Sequence, residues 1–546
     1  MLRVTEIKLP LDHTPEALKA ALVKKLAVNA ADILDFTIYK RGVDARKANA
    51  ILLVYTLDVT VQGETKVLVK LKKEPHVKPA PDMAYQFVTK VIDDASVQHT
   101  HPQRPVIVGF GPAGIFAALI LAQSGFKPIV LERGKAVRER TKDTWNLWRK
   151  SVLNPESNVQ FGEGGAGTFS DGKLYSQIKD PKFYGRKVMQ EFVAAGAPEE
   201  ILYVSHPHIG TFRLVGVVET MRNKIIALGG EIRFESKVDT IELSEAGQPQ
   251  QQVQGVVLQS GERIATNHLI LAVGHSARDT FEMIHAQGVF VEAKPFSVGF
   301  RIEHPQSLID AARHGPNAQH PILGAADYKL VHHAQNGRSV YSFCMCPGGT
   351  VVAAASEPNR VVTNGMSQYS RNERNANAGI VVGITPDIDY PGHPLAGMAF
   401  QRALESQAYV LGGSNYQAPG QLVGDFLNNV PSTAFGEVMP SYTPGVNLTN
   451  LDTALPEFAI SAMREAIPMF AKKIKDFDLP DAVLTGVETR TSSPIRIKRH
   501  DDSLQSVNTK GLYPCGEGAG YAGGILSAGV DGIRVAEAVA LSMVNA

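Results

Sequence analysis

One stretch constrains this chain more than any other. Val106-Ile-Val108 is a β-branched run, followed by glycines at 109, 111 and 114, an Ala/Leu/Ile-rich segment to Gly125, and Pro128-Ile-Val-Leu-Glu132. Strand, G-x-G-x-x-G turn, helix, strand and terminal acid, in that order, make a βαβ dinucleotide-binding unit. Gly109 permits the tight turn, Gly111 removes a side chain where a pyrophosphate must approach, and Gly114 lets helix and strand pack closely. Pro112 and Ala113 open the helix, whose free N–H groups and positive dipole end face the phosphates. Glu132 lies 18 residues past Gly114, where a carboxylate can accept the hydroxyls of an adenosine ribose. Arg133 follows it and is counted with the same site. So apolar a stretch also has the length of a membrane span, but the turn from Gly109 to Gly114, with Pro112, would then sit mid-membrane.

A second glycine cluster, Asn158-Val-Gln-Phe-Gly-Glu-Gly-Gly-Ala-Gly-Thr-Phe-Ser-Asp-Gly-Lys173, cannot form an ordinary helix or strand. Phe161, Phe169 and Leu174 are interleaved, which suits a packed loop more than a flexible linker. Gly167, Thr168, Ser170, Gly172, Lys173 and Leu174 are therefore expected against a flat or phosphorylated ligand. A third cluster, Pro514-Cys-Gly-Glu-Gly-Ala-Gly-Tyr-Ala-Gly-Gly524, precedes a closing helix over 525–544.

The totals are those of an ordinary globular chain. At 546 residues there is room for two to four domains, and a net charge of +1 gives no global case for nucleic acid or a membrane surface. Three cysteines are too few for a disulfide framework and suit a reducing cytoplasm.

The expected fold class is α/β: a Rossmann-like dinucleotide domain in separated segments, an inserted β-rich α+β domain, and a small N-terminal α/β module. The expected bounds are 1–98 for module and linker, 99–276 and 487–546 for the two parts of the dinucleotide domain, and 277–486 for the insertion. In the module, residues 2–9, 33–39 and 51–61 read as strands. Thr14 caps a helix over 15–26 with proline at its first position, and a short helix is expected over 83–92. Residues 1–80 hold 14 basic and 9 acidic side chains, and 40–47 form a basic turn. That turn either meets an anionic partner such as RNA or is a solvated hairpin. Residues 211–228, 231–238, 253–258 and 268–274 continue the dinucleotide domain as helix and strands. In the insertion, 296–302, 339–345 and 379–384 read as strands, and 397–410 and 456–474 as helices.

The segment Gly511-Leu-Tyr-Pro-Cys-Gly-Glu-Gly-Ala-Gly-Tyr-Ala-Gly-Gly-Ile-Leu-Ser-Ala-Gly529 resembles the C-terminal flavin motif of the two-domain FAD family typified by glutathione reductase. With residues 161–174 and Tyr341-Ser-Phe-Cys-Met-Cys-Pro-Gly-Gly349, the chain from Pro105 onward resembles the bacterial group of uncharacterised FAD-dependent dehydrogenases. The N-terminal module, with Val43-Asp-Ala-Arg46, is similar to the one that group carries. The resemblance implies FAD as cofactor; no metal is expected, because the two sulfurs of Cys344 and Cys346 alone fall short of a zinc site. It places Gly516 and Glu517 by the ribityl chain or pyrophosphate, and Gly523, Gly524 and Ile525 at the pyrimidine edge of the ring. It places Lys237 and Val238 at the adenine, and Val273 and Gly274 over the pyrophosphate side. It also implies what is missing: there is no C-x4-C pair after the first βαβ unit and no second glycine fingerprint, so any NAD(P)H would bind without a dedicated domain.

Catalytic side chains are harder to read. His208, in Ser205-His-Pro-His208, is a possible proton donor or a structural histidine. Arg490 holds an anionic substrate or reduced flavin, or else pairs with Glu488 or another carboxylate at a domain boundary. Cys515 lies within reach of the ring or is simply a small residue in a tight loop. Cys344 and Cys346, two apart in a strand, share a face; fully extended, their Cα atoms are roughly 6.5–7 Å apart, at the limit for a disulfide. Buried thiols filling a core are the favoured reading, a redox or metal pair the other. The functional expectation is hydride transfer between a small-molecule substrate and flavin. A flavin-dependent RNA-modifying enzyme and a non-enzymatic FAD-binding sensor are the alternatives.

Overall fold

The computed structural model describes residues 1–91, 103–244 and 251–545. Its centre is a five-stranded, all-parallel sheet in the order Leu512–Pro514, Leu269–Leu271, Val106–Val108, Ile129–Leu131, Glu231–Arg233. The middle three strands are buried at every position, as expected where helices or sheets cover both faces. One face carries Pro112–Gln123, Thr211–Ala227 and Ile525–Val544. The other packs on the antiparallel strands Val238–Leu243, Gln251–Leu258 and Arg263–Ala265.

The second large unit is an eight-stranded, mostly antiparallel sheet running from Phe296–Pro305 to Val483–Glu488. Its long strands Ser339–Ala353 and Asn375–Ile384 lie side by side. The strand Val291–Ala293 pairs with Ile495–Ile497 where the chain leaves and re-enters the first unit, and helix Arg278–Ala286 packs into the core of that first unit through Phe281 and Ile284.

The strand Phe296–Pro305 is buried at its first nine positions, and four of these, Ser297, Arg301, Glu303 and His304, are polar. His304 donates or accepts at Nε2 with the Phe477 carbonyl, 2.7 Å away; a carbonyl can only accept, so Nε2 carries the hydrogen. Burial pushes the imidazole pKa down to about 4. Below the free value of 6.5 the unfolded chain binds the proton more readily than the folded one, so stability falls as the pH drops from 6.5 towards 4, by up to about 3 kcal/mol. Urea midpoints measured across that interval should show this slope in the parent and a flatter one in His304→Gln; equal slopes would rule it out.

In the N-terminal module the sheet order is Ile33–Asp44, Leu52–Val61, Leu2–Pro10, Val77–Pro79, with helix Pro15–Leu26 packed against it. Thr14 occupies the N-cap with extended backbone, but its hydroxyl makes no cap bond. The second strand runs into the basic stretch, because Arg41 is bonded to a neighbour on its other side: its N–H to Tyr203 O at 2.6 Å, and its carbonyl to the Ser205 N–H at 2.9 Å. Arg46 is paired with Asp44. The helix expected over 83–92 is absent through residue 91, and Ile92 lies outside the described residues. The segment instead forms a strap held by long-range bonds, Tyr85 Oη to Glu537 at 3.0 Å and Val91 N–H to Ser124 O at 2.9 Å.

Candidate FAD site

Helices Pro112–Gln123 and Ile525–Val544 lie against each other because small residues face the contact. A Cβ on Gly532 would sit 2.3 Å from the Ala113 carbonyl oxygen, and one on Gly529 2.9 Å from the Phe116 ring. This close packing brings both N-terminal ends to one cavity of about 560 Å³. Neither end has a side-chain cap, so the orphan amides of the first turns are available to an anion.

At the fingerprint, Gly109 has φ +99°, and a Cβ there would collide with the Ala272 carbonyl oxygen at 2.4 Å. Gly109, Gly111, Pro112 and Ala113 line the cavity. Gly114 does not; its Cβ would fall 2.0 Å from the Gly109 oxygen, so its task is the close packing of turn and helix. Glu132 lines the cavity while accepting N–H bonds from Phe110 (2.8 Å), Gly134 (2.8 Å) and Gly162 (3.0 Å). Its carboxylate thus joins the fingerprint turn to the second glycine loop. Arg133 and Lys237 form a second tie at the same end: both bind Asp279 and Glu156, and Arg133 stacks on Phe161 with its guanidinium 4.1 Å from the ring centre. Val238, Val273, Gly274 and Glu517 line this half of the cavity as well.

The glycine loop is organised by a residue that no motif announced. Arg140, wholly buried on helix Val137–Lys150, donates to the carbonyls of Asn158 (2.8 Å), Val159 (2.7 Å) and Glu163 (2.7 Å). Burial pulls its guanidinium down to about 10, still charged at neutral pH. Gly167, Ser170, Gly172 and Lys173 then face the cavity, but Thr168 and Leu174 do not. Thr168 turns inward to Glu163, and Leu174 belongs to the apolar core. Gly516 is also off the wall: its N–H binds Asp531 at 2.8 Å, and a Cβ would press on Ala113 at 2.7 Å.

The opposite wall comes from the eight-stranded sheet and its flanks: Asp327, Tyr341, Cys344, Asn364, Glu488 and Thr491. Burial pushes the Glu488 carboxyl up, with Arg301 at 2.8 Å opposing it. Burial likewise pulls the Lys173 ammonium down, but the thiols of Cys346 and Cys344 and the Asp171 carboxylate outweigh it, and the net shift is upward.

The three catalytic candidates fare differently. Cys515 lines the cavity, wholly buried, its thiol pushed well up by burial and then by Asp531. Arg490 also reaches the wall, but its guanidinium is engaged: Nε and Nη2 bind Glu405 at 3.1 Å each, and Nη1 binds Ser356 at 2.6 Å. The partner carboxylate is therefore Glu405, and Glu488 belongs to Arg301. His208 is not on the wall. It stacks on Tyr369, bonds the Tyr369 carbonyl at 3.1 Å, and bridges by backbone to Lys173. Burial, then Arg371, lowers its pKa, which makes it a neutral brace for the loop.

These walls fit a flavin dinucleotide. A Cβ on Gly274, Gly523 or Gly524 would meet no atom within 4 Å, so these glycines leave open the cavity that they line. His275, also on the wall, has a buried Nε2 with no hydrogen-bond partner among the described residues. Among the described residues no helix is long and apolar enough to cross a membrane.

Comparison with known proteins agrees with this geometry. Residues 295–491, the sheet that closes the cavity, match the family described as FAD-dependent protein, C-terminal domain-like; residues 1–60 match a domain of unknown function. The chain is an FAD-dependent flavoprotein. An uncharacterised protein of Clostridium beijerinckii is 48% identical over 537 residues, covering 98% of each chain, and this chain belongs to the same family. Among solved structures, halogenase PltM (11% identity, 81% of this chain and 70% of that one, TM-score 0.38) and L-proline dehydrogenase from P. horikoshii (12%, 81% and 94%, TM-score 0.34) are similar in part.

Proposed function

We propose that this protein is an FAD-dependent oxidoreductase that moves a hydride between a small-molecule substrate and flavin N5. The observation that carries the reading is the convergence of two uncapped helix N-termini on one cavity whose far wall is polar and belongs to a different sheet. When bound, FAD supplies the two-electron chemistry. The chain's own residues bind and orient it. The amides of Gly111 and Ala113 would hold the pyrophosphate, Glu132 the adenosine ribose, Lys237 and Val238 the adenine, and Glu517 the ribityl side. The amides of Gly524 and Ile525 would favour negative charge at the pyrimidine edge, which is where reduction places it. Substrate then lies against Tyr341, Asn364 and Thr491. Lys173 has three donors, one of which goes to the Met345 carbonyl; another can reach a substrate oxygen.

Purified protein is expected to show flavin absorbance, as isolated or after FAD is added, and to release FAD on heating. Anaerobic mixing with NADH and NADPH separately then reads the donor: bleaching by one of them makes that nicotinamide the reductant, and bleaching only by an organic substrate makes the enzyme a substrate-reduced dehydrogenase. Protein that shows no flavin absorbance even with added FAD overturns the reading.

A further inference from the structure

The strand Ser339–Ala353 follows its neighbour in register as far as Phe343 opposite Gly379, and the next pair is Cys346 opposite Asn377. Three steps on one strand against two on the other leave one residue extra, a β-bulge. Cys344 sits in it with φ +42°, a left-handed conformation uncommon for any residue but glycine. Bulges beside active sites re-aim side chains, and this one does so: Cys344 is half-buried on the cavity wall, while Cys346 is wholly buried behind it. The Cys346 thiol donates back to the Cys344 carbonyl, 3.4 Å away, so its sulfur lies over its own bulge instead of projecting away from it.

Two cations grip the same three residues. Lys173, from the glycine loop, donates to the Met345 carbonyl. Arg301, with no exposure, donates to the Cys344 carbonyl at 2.9 Å and is held by Glu488 and Asn377. Reactive cysteines sit in such electropositive, partly open settings, and structural ones do not. The two thiols are also unequal: the neighbouring Cys346 thiol, then Lys173 and Arg301, draw Cys344 well below the ordinary thiol range against the effect of burial, whereas the Cys344 thiol and burial push Cys346 well above it. Cys344, at the cavity, is thus the more readily ionised of the two, and Cys346 the one that holds its proton more tightly. Cys515, on the same wall, has neither cation on its backbone and is pushed up.

We propose that Cys344 and Cys346 are a redox pair that exchanges two electrons with the flavin of this cavity. The exchange rests on the FAD reading above. In the oxidising direction the Cys346 S–H bond breaks, the Cys344 thiolate and Cys346 sulfur form one S–S bond, and the electron pair passes with one proton to oxidised flavin. In the other direction reduced flavin returns the pair and the proton, the S–S bond breaks, and Cys344 thiolate and Cys346 thiol re-form. Fully extended backbone at Met345 would hold the two Cα atoms at the disulfide limit; the bulge interrupts that regular extension here.

Both cysteines fall in one tryptic peptide, residues 339–360. After diamide treatment of the FAD-loaded protein, thiol titration in denaturant is expected to find one free thiol per chain instead of three, and the peptide mass should show an internal disulfide. Anaerobic dithionite titration of that oxidised protein should take up about four electrons per flavin, two for the ring and two for the pair. Cys344→Ser and Cys346→Ser should each take up about two. Flavin present, three thiols remaining and two electrons consumed by the parent would overturn the pair and leave the FAD site standing. Absence of flavin after FAD is added would sink the FAD site, and the exchange with it, whatever the thiol count.

Discussion

Glu405→Gln is expected to lower folding stability by about 3–5 kcal/mol, the range seen when one partner of a buried ion pair is removed and charge is left uncompensated. Glu405 has no exposed surface. Its two oxygens accept from Arg278 at 2.9 and 2.7 Å, from Arg490 at 3.1 Å twice, and from Thr489 at 2.8 Å. Two guanidiniums from opposite sides of the domain crossing therefore share one carboxylate, and an amide of the same shape leaves them facing each other, with Glu357 still paired to Arg278. Burial works against the ionised carboxyl, but the two arginines outweigh it and hold its pKa far below the ordinary 4.5. A carboxylate with a depressed folded pKa contributes fully above the unfolded value and loses that contribution as the pH falls below it. The parent should thus lose stability steeply below about pH 4.5, and the variant should lose part of that slope. Urea unfolding at neutral pH and in acid tests both; a neutral-pH change under about 1 kcal/mol would mean that the arginines find other partners.

Gly523→Leu is expected to leave the fold intact and weaken FAD binding by at least ~100-fold, close to 3 kcal/mol. The contrast between glycines is what makes this informative. At Gly114 or Gly532 an added Cβ strikes backbone at 2.0 or 2.3 Å, so substitution there damages folding and binding together. At Gly523 the Cβ meets nothing within 4 Å, and the backbone is not among the positive-φ positions. Gly523 lines the cavity, so a leucine side chain at that position is expected to take up space that the ligand needs. Equilibrium dialysis or flavin-fluorescence titration gives the affinity, and thermal unfolding of the apoprotein gives the control. In the presence of excess FAD the parent should melt higher than the variant, since ligand binding to the folded state adds stability. Retained affinity would place the ring elsewhere.

Much of this architecture could be read in the sequence, for a physical reason. Glycine spacing, β-branched runs and apolar periodicity are local, and they located the fingerprint, the second glycine loop and the closing helix, which runs Ile525–Val544 as expected. What could not be read depends on pairs far apart in the chain. Arg490 pairs with Glu405, 85 residues away, and not with its neighbour Glu488. Arg140 anchors a loop whose carbonyls carry no sequence label. The Cys344 bulge exists only relative to the adjacent strand, so alternation along one strand predicted a regular shared face. The stretch near Tyr85 has helix-compatible residues, but its side chains are claimed by Glu537 and its neighbours, and tertiary bonds prevailed over local preference.

The cavity's two anion-facing helices begin at Pro112 and Ile525, and the sheet between them is completed by Leu512–Pro514. On a ribosome the fingerprint therefore emerges long before the surface that must cover it. Ile115 to Ala122, buried in the finished protein, would spend most of synthesis without their partner helix, and a nascent chain short of residue 525 lacks one of the two helix N-termini that line the cavity. On the FAD reading, loading of the cofactor is expected late in biogenesis, with an apolar helix lacking its partner until then.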